Sequence, residues 1–356
     1  MNRPHLGDLD WNELEAVIKG LGQPSFRAKQ VFQWVQQKGV TQWDEMTNVP
    51  KSLKEALAQH YTLAGMTVIK RDESKLDETV KYLLELRDGE TIETVLMAYE
   101  QQLGRERRTV CVSTQVGCRL GCAFCATGKS GFKRNLEVNE ILGQVLAVNK
   151  DLSKWSSASV TNLVFMGMGE PLLNYDNLVK SLVILNHPDG LNISMRRISV
   201  STSGIVPGIY RLAQEEMPLV LAISLHAPNN ELRNRLMPIN RRYPLEELLE
   251  ACHYWAERTN RRITFEYILL DRVNDNLKQA QELVDLLRGL LANVNLIPFN
   301  SVADAGFSQP SRNRVMAFRR YLEEHGVAAV IREEKGSDIA AACGQLRRQE
   351  MRGKGD

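Results

Sequence analysis

Cys118-Arg-Leu-Gly-Cys122-Ala-Phe-Cys125 sets three thiols with three and then two residues between them, Gly121 lying between the first two. Thiolates select soft metals and iron–sulfur clusters. Three of them this close can hold three irons of a four-iron cubane and leave the fourth without a protein ligand. An iron left open in this way is a place to bind a reactant. A structural zinc site closes instead with four ligands in two paired spacings. No second Cys-x₂-Cys or His-x₃-His is present to complete one, so the alternatives to a cluster are an incomplete zinc site or scattered core cysteines.

Around this stretch the chain alternates apolar runs with helical patterns. Strand-like runs fall at 109–113, 160–166, 197–202, 218–225, 262–269, 293–298 and 327–331, and helix-periodic stretches at 136–148, 178–185, 245–255, 277–290 and 315–322. Such β-α alternation predicts parallel strands covered by helices, a full or partial barrel. Reactive groups then belong at the carboxyl ends of the strands, and the cysteine stretch follows the first of them. Other strand ends carry Gly167-Met-Gly169-Glu170-Pro171, Ser201-Thr-Ser203-Gly204, Ser224-Leu225-His226 and Pro298-Phe299-Asn300. The first lacks the third glycine and the helix start of a dinucleotide fingerprint. Its glycines let the backbone approach a ligand, and Glu170 could accept from an ammonium group. Each end alone reads equally well as a turn, but four of them beside a cluster point to a cofactor pocket.

Ahead of the barrel, residues 8–60 read as short helices. Pro24 suits a helix start, Phe26, Val31, Phe32 and Val35 form an apolar stripe, and Gly39 stops it. Such a small appendage is expected to serve as an accessory domain, either gripping RNA or packing on the barrel. From Met66 the pattern alternates: Val80, Tyr82, Leu84 and Leu86 share one face, Asp88-Gly89 marks a hairpin, and 91–97 returns. The charged stretch 100–108 reads as a linker. Expected boundaries are therefore 1–62 for the helical domain, 63–104 for hairpin and linker, and 105–356 for the barrel with a C-terminal catalytic loop.

The 356 residues carry 45 Lys and Arg against 43 Asp and Glu, a balance that does not itself announce nucleic acid. Basic doublets recur, however (Arg107-Arg108, Lys133-Arg134, Arg196-Arg197, Arg241-Arg242, Arg261-Arg262, Arg347-Arg348), and a fold could gather several on a phosphate-binding surface or leave them as solvated element ends. The charged stretch Met1 to Asp10 has no signal-peptide core, and no run is long enough for a membrane helix, so a cytoplasmic location is expected. Three cysteines lie outside the cluster stretch. Cys252 sits among Leu248, Leu249 and Trp255 on an amphipathic pattern and reads as core. Cys111 and Cys343 would each pass for core thiols, unless the barrel brings both to one face as a dithiol.

The cysteine spacing resembles the radical S-adenosylmethionine (SAM) superfamily. The resemblance narrows through Gly-Cys-Arg-Leu-Gly-Cys-Ala-Phe-Cys-Ala-Thr-Gly, Phe-Met-Gly-Met-Gly-Glu-Pro-Leu-Leu-Asn, Ser-Thr-Ser-Gly, Ile-Ser-Leu-His-Ala-Pro, Met-Pro-Ile-Asn and Ala-Ala-Cys-Gly-Gln-Leu, which together are similar to the RlmN-type adenine carbon-2 RNA methyltransferases. It implies an α/β fold, a radical SAM partial (β/α) barrel with a small N-terminal helical accessory domain. It implies a 4Fe-4S cluster on Cys118, Cys122 and Cys125, and two SAM molecules per turnover. SAM contacts fall by position on Gly169, Glu170, Ser201, Ser224, Leu225, His226 and Asn300. The family roles fall on Cys343 as S-methylcysteine carrier, Cys111 as resolving thiol in a transient disulfide with Cys343, and Glu93 as proton acceptor. Implied substrates are the peptidyl-transferase centre of 23S rRNA and the adenosine 3′ to the tRNA anticodon, with a flavodoxin-like electron donor and a monomeric enzyme. Three rivals remain at this level: a Cfr-type carbon-8 methyltransferase, a radical enzyme of small metabolites, and a non-catalytic iron–sulfur RNA-binding or assembly factor.

Overall fold

A computed structural model describes residues 3–102, 105–154, 158–300, 302 and 306–347, with the side chains of 100–106 left aside. Three helices open the chain: α1 (Trp11–Gly20), α2 (Phe26–Gln36) and α3 (Lys51–His60). Asp10 and Glu13 form a reciprocal capping box that starts α1 by satisfying orphan N–H groups. The buried stripes Leu14 and Ile18, Ala28, Val31 and Phe32, and Leu53 and Leu57 belong to the same hydrophobic cluster as the strands that follow. The helices are therefore packed on the rest of the molecule. Trp11 stacks on His187 at 5.0 Å, and Asp8 Oδ1 accepts from Asn139 N at 2.8 Å.

Twelve strands follow: β1 (Thr67–Glu73), β2 (Val80–Glu85), β3 (Thr91–Gln102), β4 (Arg105–Cys111), β5 (Gln115–Gly117), β6 (Phe132–Asn135), β7 (Asn162–Phe165), β8 (Ile198–Thr202), β9 (Val220–Ser224), β10 (Ile263–Leu269), β11 (Ala292–Pro298) and β12 (Ala329–Ile331). Ten of them form one sheet in the order β1-β2-β3-β4-β7-β8-β9-β10-β11-β12. From β4 to β12 every pairing is parallel, while β1 to β4 are antiparallel. The intervening helices are α4 (Ala126–Lys129), α5 (Val138–Leu152), α6 (Tyr175–Asn186), α7 (Val206–Gln214), α8 (Asn230–Leu236), α9 (Leu245–Thr259), α10 (Leu277–Leu286) and α11 (Arg312–Glu324). Burial between the helices and the interior leaves stretches of the parallel strands wholly apolar, as in Leu221-Ala-Ile223. The α/β class and the parallel strands agree with the sequence expectation, although α4, α7 and α8 lie outside the helix-periodic stretches.

Two features differ from expectation. The stretch 100–108 is not a linker: Tyr99 pairs with Arg107 and Gln102 with Arg105, so β3 and β4 continue through it as a ribbon, residues 103–104 lying outside the described residues. Charge does not oppose pairing there, because a ladder is a backbone affair and the Arg107 guanidinium sits 5.0 Å over the Tyr99 ring. Strand β2 is likewise buried on both faces, Lys81 and Leu83 included. What covers the second face is the chain after β12. This strap crosses back to the first hairpin, where Gly336 N donates to Asp77 Oδ2 (3.0 Å) and Asp338 accepts from Ser74 Oγ (2.7 Å) and Lys75 N (2.8 Å).

Among the described residues no helix is long and apolar enough to cross a membrane. Trp255 and Cys252 are fully buried in the core beneath α9, as the helical pattern implied for the cysteine. The indole Nε1 of Trp255 meets no hydrogen-bond partner among the described residues. Trp255→Phe therefore removes volume and an unsatisfied donor together, and its cost should stay near 1 kcal/mol, against roughly 3–5 kcal/mol for Trp255→Ala. Urea denaturation of the two variants checks the contrast.

Candidate active site

The cysteine loop is pinned at its base by β5 and β6. Gly117 takes φ +76°, and a Cβ there would lie 1.8 Å from the Gly131 carbonyl oxygen, so only glycine closes the loop. Cys118 N donates to that same carbonyl at 2.8 Å, Ala123 N donates to Leu236 O, and Cys125 caps the short α4. Cys118, Cys122 and Cys125 thereby line one cavity with Gly167, Gly169, Glu170, Ser201, Ser224, His226 and Cys343. Burial pushes the Cys118 thiol up to about 12 and Cys122 well above its ordinary value. As cluster ligands these thiols would exchange their protons for iron. Among the described residues no three His, Cys, Asp or Glu side chains converge on a single-ion site. The donor set, three soft thiols on one short loop with the cavity's further thiol, Cys343, on the separate segment after β12, fits a cubane with one thiolate per iron better than a closed zinc site.

Opposite the cysteines, the strand ends are tied together by polar groups. Glu170 is 2% exposed; it accepts from Ser203 N (2.7 Å) and Leu172 N (3.1 Å), and burial raises its carboxyl above the ordinary value. Ser201 Oγ and Ser224 Oγ lie 3.4 Å apart. His226 adopts φ +59°, and its Nδ1 accepts from Ile268 N at 3.0 Å, which leaves the ring proton on Nε2. Burial, with the Arg233 cation adding to it, pushes the His226 pKa down to about 3, so the ring is neutral. Leu225 contributes no lining side chain. It is buried, its N–H donates to Glu266 O and its carbonyl accepts from Arg233 Nε.

Arg233 went unnoticed in the sequence. Its side chain is fully buried and donates to Leu225 O (3.1 Å), Asn240 Oδ1 (2.8 Å), Ser203 O (2.7 Å) and Ser224 O (3.1 Å). Among the described residues it has no carboxylate partner, and burial lowers its pKa to about 10. One guanidinium thus joins the ends of β8 and β9 to the Met237-Pro-Ile-Asn240 turn, which accounts for that motif. The only prior signal was a charged residue among the apolar positions Leu232 and Leu236 of a short helix.

An adjoining cavity is lined by Cys111, Cys125, Cys343, Asn300 and Arg332. Cys111, at the end of β4, is buried and pushed up to about 12 by that burial; Cys343, on the strap, is exposed. Both therefore reach one cavity, beside the cluster cysteines. Asn300 Oδ1 is buried without a hydrogen-bond partner among the described residues, an acceptor available to a ligand donor. Arg332, directly after β12, lies 3.7 Å from buried Glu266 and donates to Met166 Sδ at 3.6 Å. No sequence signal marks these two residues: Glu266 interrupts the apolar run 262–269, and Arg332 opens the charged stretch Arg332-Glu-Glu-Lys335. Glu93 lines neither cavity: it is 1% exposed, 3.4 Å from Lys81 Nζ, and accepts from Arg347 N at 2.9 Å. The basic doublets are dispersed: Arg134 is bound by Asp88 and Glu140, Arg261 by Leu219 O, and Arg348 lies outside the described residues.

Arg233→Met should cost on the order of 3–5 kcal/mol, because four acceptors lose a buried donor; Arg233→Lys should recover only part of it, lacking the fork. Thermal unfolding checks both. In the cluster-free protein His226 gives a pH signature. The unfolded chain protonates it near 6.5 whereas the folded state holds it neutral to about pH 3, so the unfolded state binds more protons between those values. Its contribution to stability is present above pH 6.5 and is lost as pH falls through that window, by on the order of 4 kcal/mol at the lower end. His226→Asn, which tolerates the left-handed backbone, should flatten that part of the stability profile.

Comparison with known proteins agrees with this geometry. Residues 112–287 match the radical SAM superfamily, and residues 5–63 match the ribosomal RNA large subunit methyltransferase N-terminal domain. The chain is 48% identical to the probable dual-specificity RNA methyltransferase RlmN of Caldanaerobacter subterraneus subsp. tengcongensis, over 98% of this chain and 99% of that one. It is 49% identical to the corresponding protein of Desulfitobacterium hafniense, over 98% of each. The crystal structure of a radical SAM methyltransferase from Sphaerobacter thermophilus superposes with a TM-score of 0.91 at 46% identity, covering 97% of this chain and 99% of that one. A radical SAM barrel behind an RlmN-type N-terminal helical region, matched nearly end to end by these relatives, means that the chain belongs to the RlmN family of radical SAM RNA methyltransferases.

Proposed function

We propose that the enzyme methylates carbon 2 of adenosine, in the peptidyl-transferase centre of 23S rRNA and 3′ to the anticodon of tRNA, in line with the dual specificity in its relatives' names. The observation that carries this reading is the meeting of Cys111 and Cys343 at one cavity beside the three cluster cysteines. A simple methyl transfer needs no thiol pair, whereas carbon 2 of adenine is not nucleophilic and requires a carbon radical.

Cys118, Cys122 and Cys125 would hold the 4Fe-4S cluster, with Gly169, Glu170, Ser201, Ser224, His226, Asn300 and the Leu225 backbone as the SAM contacts. When bound, the cluster and SAM supply a 5′-deoxyadenosyl radical. Cys343 Sγ, as the thiolate, would first attack the methyl carbon of one SAM, release S-adenosylhomocysteine and carry the methyl as a thioether. Loss of a hydrogen atom from that S-methyl group, at the expense of a second SAM, leaves a methylene carbon that bonds adenine carbon 2. Glu93 takes the carbon-2 proton. Once the adduct's unpaired electron has returned to the iron–sulfur group that would be bound there, the Cys111 thiolate would attack Cys343 Sγ; the sulfur–carbon bond breaks with its electron pair on the methylene carbon, which takes a proton to become the new methyl group, and a Cys111–Cys343 disulfide remains. Bases of unpaired RNA leave their stacks most cheaply to reach such a pocket. Residues 1–62 would serve as the RNA-binding accessory domain, 63–104 as the connecting hairpin and 105–356 as the barrel. The enzyme would act in the cytoplasm as a monomer reduced by a flavodoxin-like donor.

Mass spectrometry of the Cys343 peptide, with nucleoside analysis of total RNA, tests the reading. Wild type should carry a methyl on Cys343 and yield 2-methyladenosine. Cys111→Ala should leave RNA covalently attached, and Cys343→Ala should abolish the product. An 8-methyladenosine product, or activity retained in Cys343→Ala, would sink the assignment.

A further inference from the structure

We infer that Lys81 and Glu93 form a latch on the Cys343 loop, so that the motion freeing Cys343 also uncovers Glu93. The roles of Cys343 and Glu93 rest on the function proposed above; the latch rests on contacts alone. Lys81 Nζ lies 3.4 Å from Glu93 Oε1, with side chains 8% and 1% exposed. The same ammonium donates to Ala340 O at 3.3 Å, and the other carboxylate oxygen accepts from Arg347 N at 2.9 Å. The backbone is thus held before and after Cys343 by the two partners of one buried ion pair. Lys81 is in this sense a positioning residue, acting through Glu93 and the loop.

Glu93 Oε2 is engaged by the loop and Glu93 lines neither cavity, so a base taking a proton from adenine beside Cys343 must first lose its bond to Arg347. The docked loop also works against its own backbone preference. Ala340 sits at φ +51°, a left-handed conformation that glycine tolerates and alanine does not favour. Further holds come from the cysteine loop, where Ala126 N donates to Gly344 O (2.8 Å) and Thr127 Oγ1 to Leu346 O (2.5 Å). These small, specific anchors suit a segment that opens locally without unfolding the barrel.

Hydrogen exchange of residues 336–347 in the cluster-loaded full-length protein tests the latch. Lys81→Met and Glu93→Gln should each speed exchange there roughly tenfold, the scale of losing a charged hydrogen bond in the interior. Exchange in β8 and β9 should stay at the wild-type rate. Lys81→Arg should restore slow exchange, and the Lys81→Met, Glu93→Gln double variant should exchange no faster than the quicker single variant, since one pair does both jobs. Unchanged exchange in Lys81→Met, or effects that multiply in the double variant, would overturn the latch. Mass spectrometry on the same samples separates the two ideas. A wild-type Cys343 that never carries a methyl removes the proposed carrier role while faster exchange in Lys81→Met still upholds the latch; a methylated Cys343 with unchanged exchange removes the latch alone.

Discussion

A guanidinium sealed in the interior, with no carboxylate partner among the described residues, is the interaction on which the site depends. Arg233 donates to the carbonyls that end β8 and β9 and to the buried Asn240. Backbone groups leaving a sheet must find partners, and parallel strands that stop at an active site strand several of them in one place. One planar fork with five N–H groups meets that demand where separate side chains would crowd the cavity. Ser224, Leu225 and His226 inherit their positions from it, and Ser203, bound at its carbonyl by Arg233, gives its N–H to Glu170.

The mouth of the barrel is closed by a different kind of structure. The strap after β12 contributes little apolar burial of its own, chiefly Ala341, Ala342 and Leu346, and is held by individual hydrogen bonds to the first hairpin, to Glu93 and to the cysteine loop. Below it, a continuous hydrophobic cluster runs from the N-terminal helices to β12. A rigid floor and a lightly fastened cover suit the proposal that Cys343 changes place while Cys118, Cys122 and Cys125 stay fixed. Burial treats the two thiols accordingly: Cys111, on the floor, is protected and pushed up to about 12, and Cys343, on the cover, is exposed.

Much of this was legible beforehand. The parallel strands β4, β7, β8, β9, β10, β11 and β12 fall within a few residues of the apolar runs, because strands covered on both faces are apolar over much of their length, and such runs stand out; β5 and β6 match no run. The three clustered cysteines and the polar strand ends were equally visible, since a radical SAM barrel displays its reactive residues at predictable places along the chain. Less visible were residues whose partners lie far off in sequence. Lys81 looked like the solvated side of an alternating strand until the strap, some 260 residues later, was laid over it. Glu266 and Arg332 carry no local mark of their pairing, and 100–108 reads as a linker because polarity hides a ladder made by backbone alone.

The sequence by itself determined the chemistry available: three thiols for a cluster, two more as a possible pair, and an alternation of strands and helices that makes a barrel, because periodicity and ligand spacing are local properties. Only the tertiary structure decided that Cys111 and Cys343 share a cavity, that Glu93 lies under the loop, and that Arg233 ties the strand ends. Those facts follow from which distant segments must pack together to bury apolar surface and satisfy stranded polar groups, and no local pattern encodes that choice.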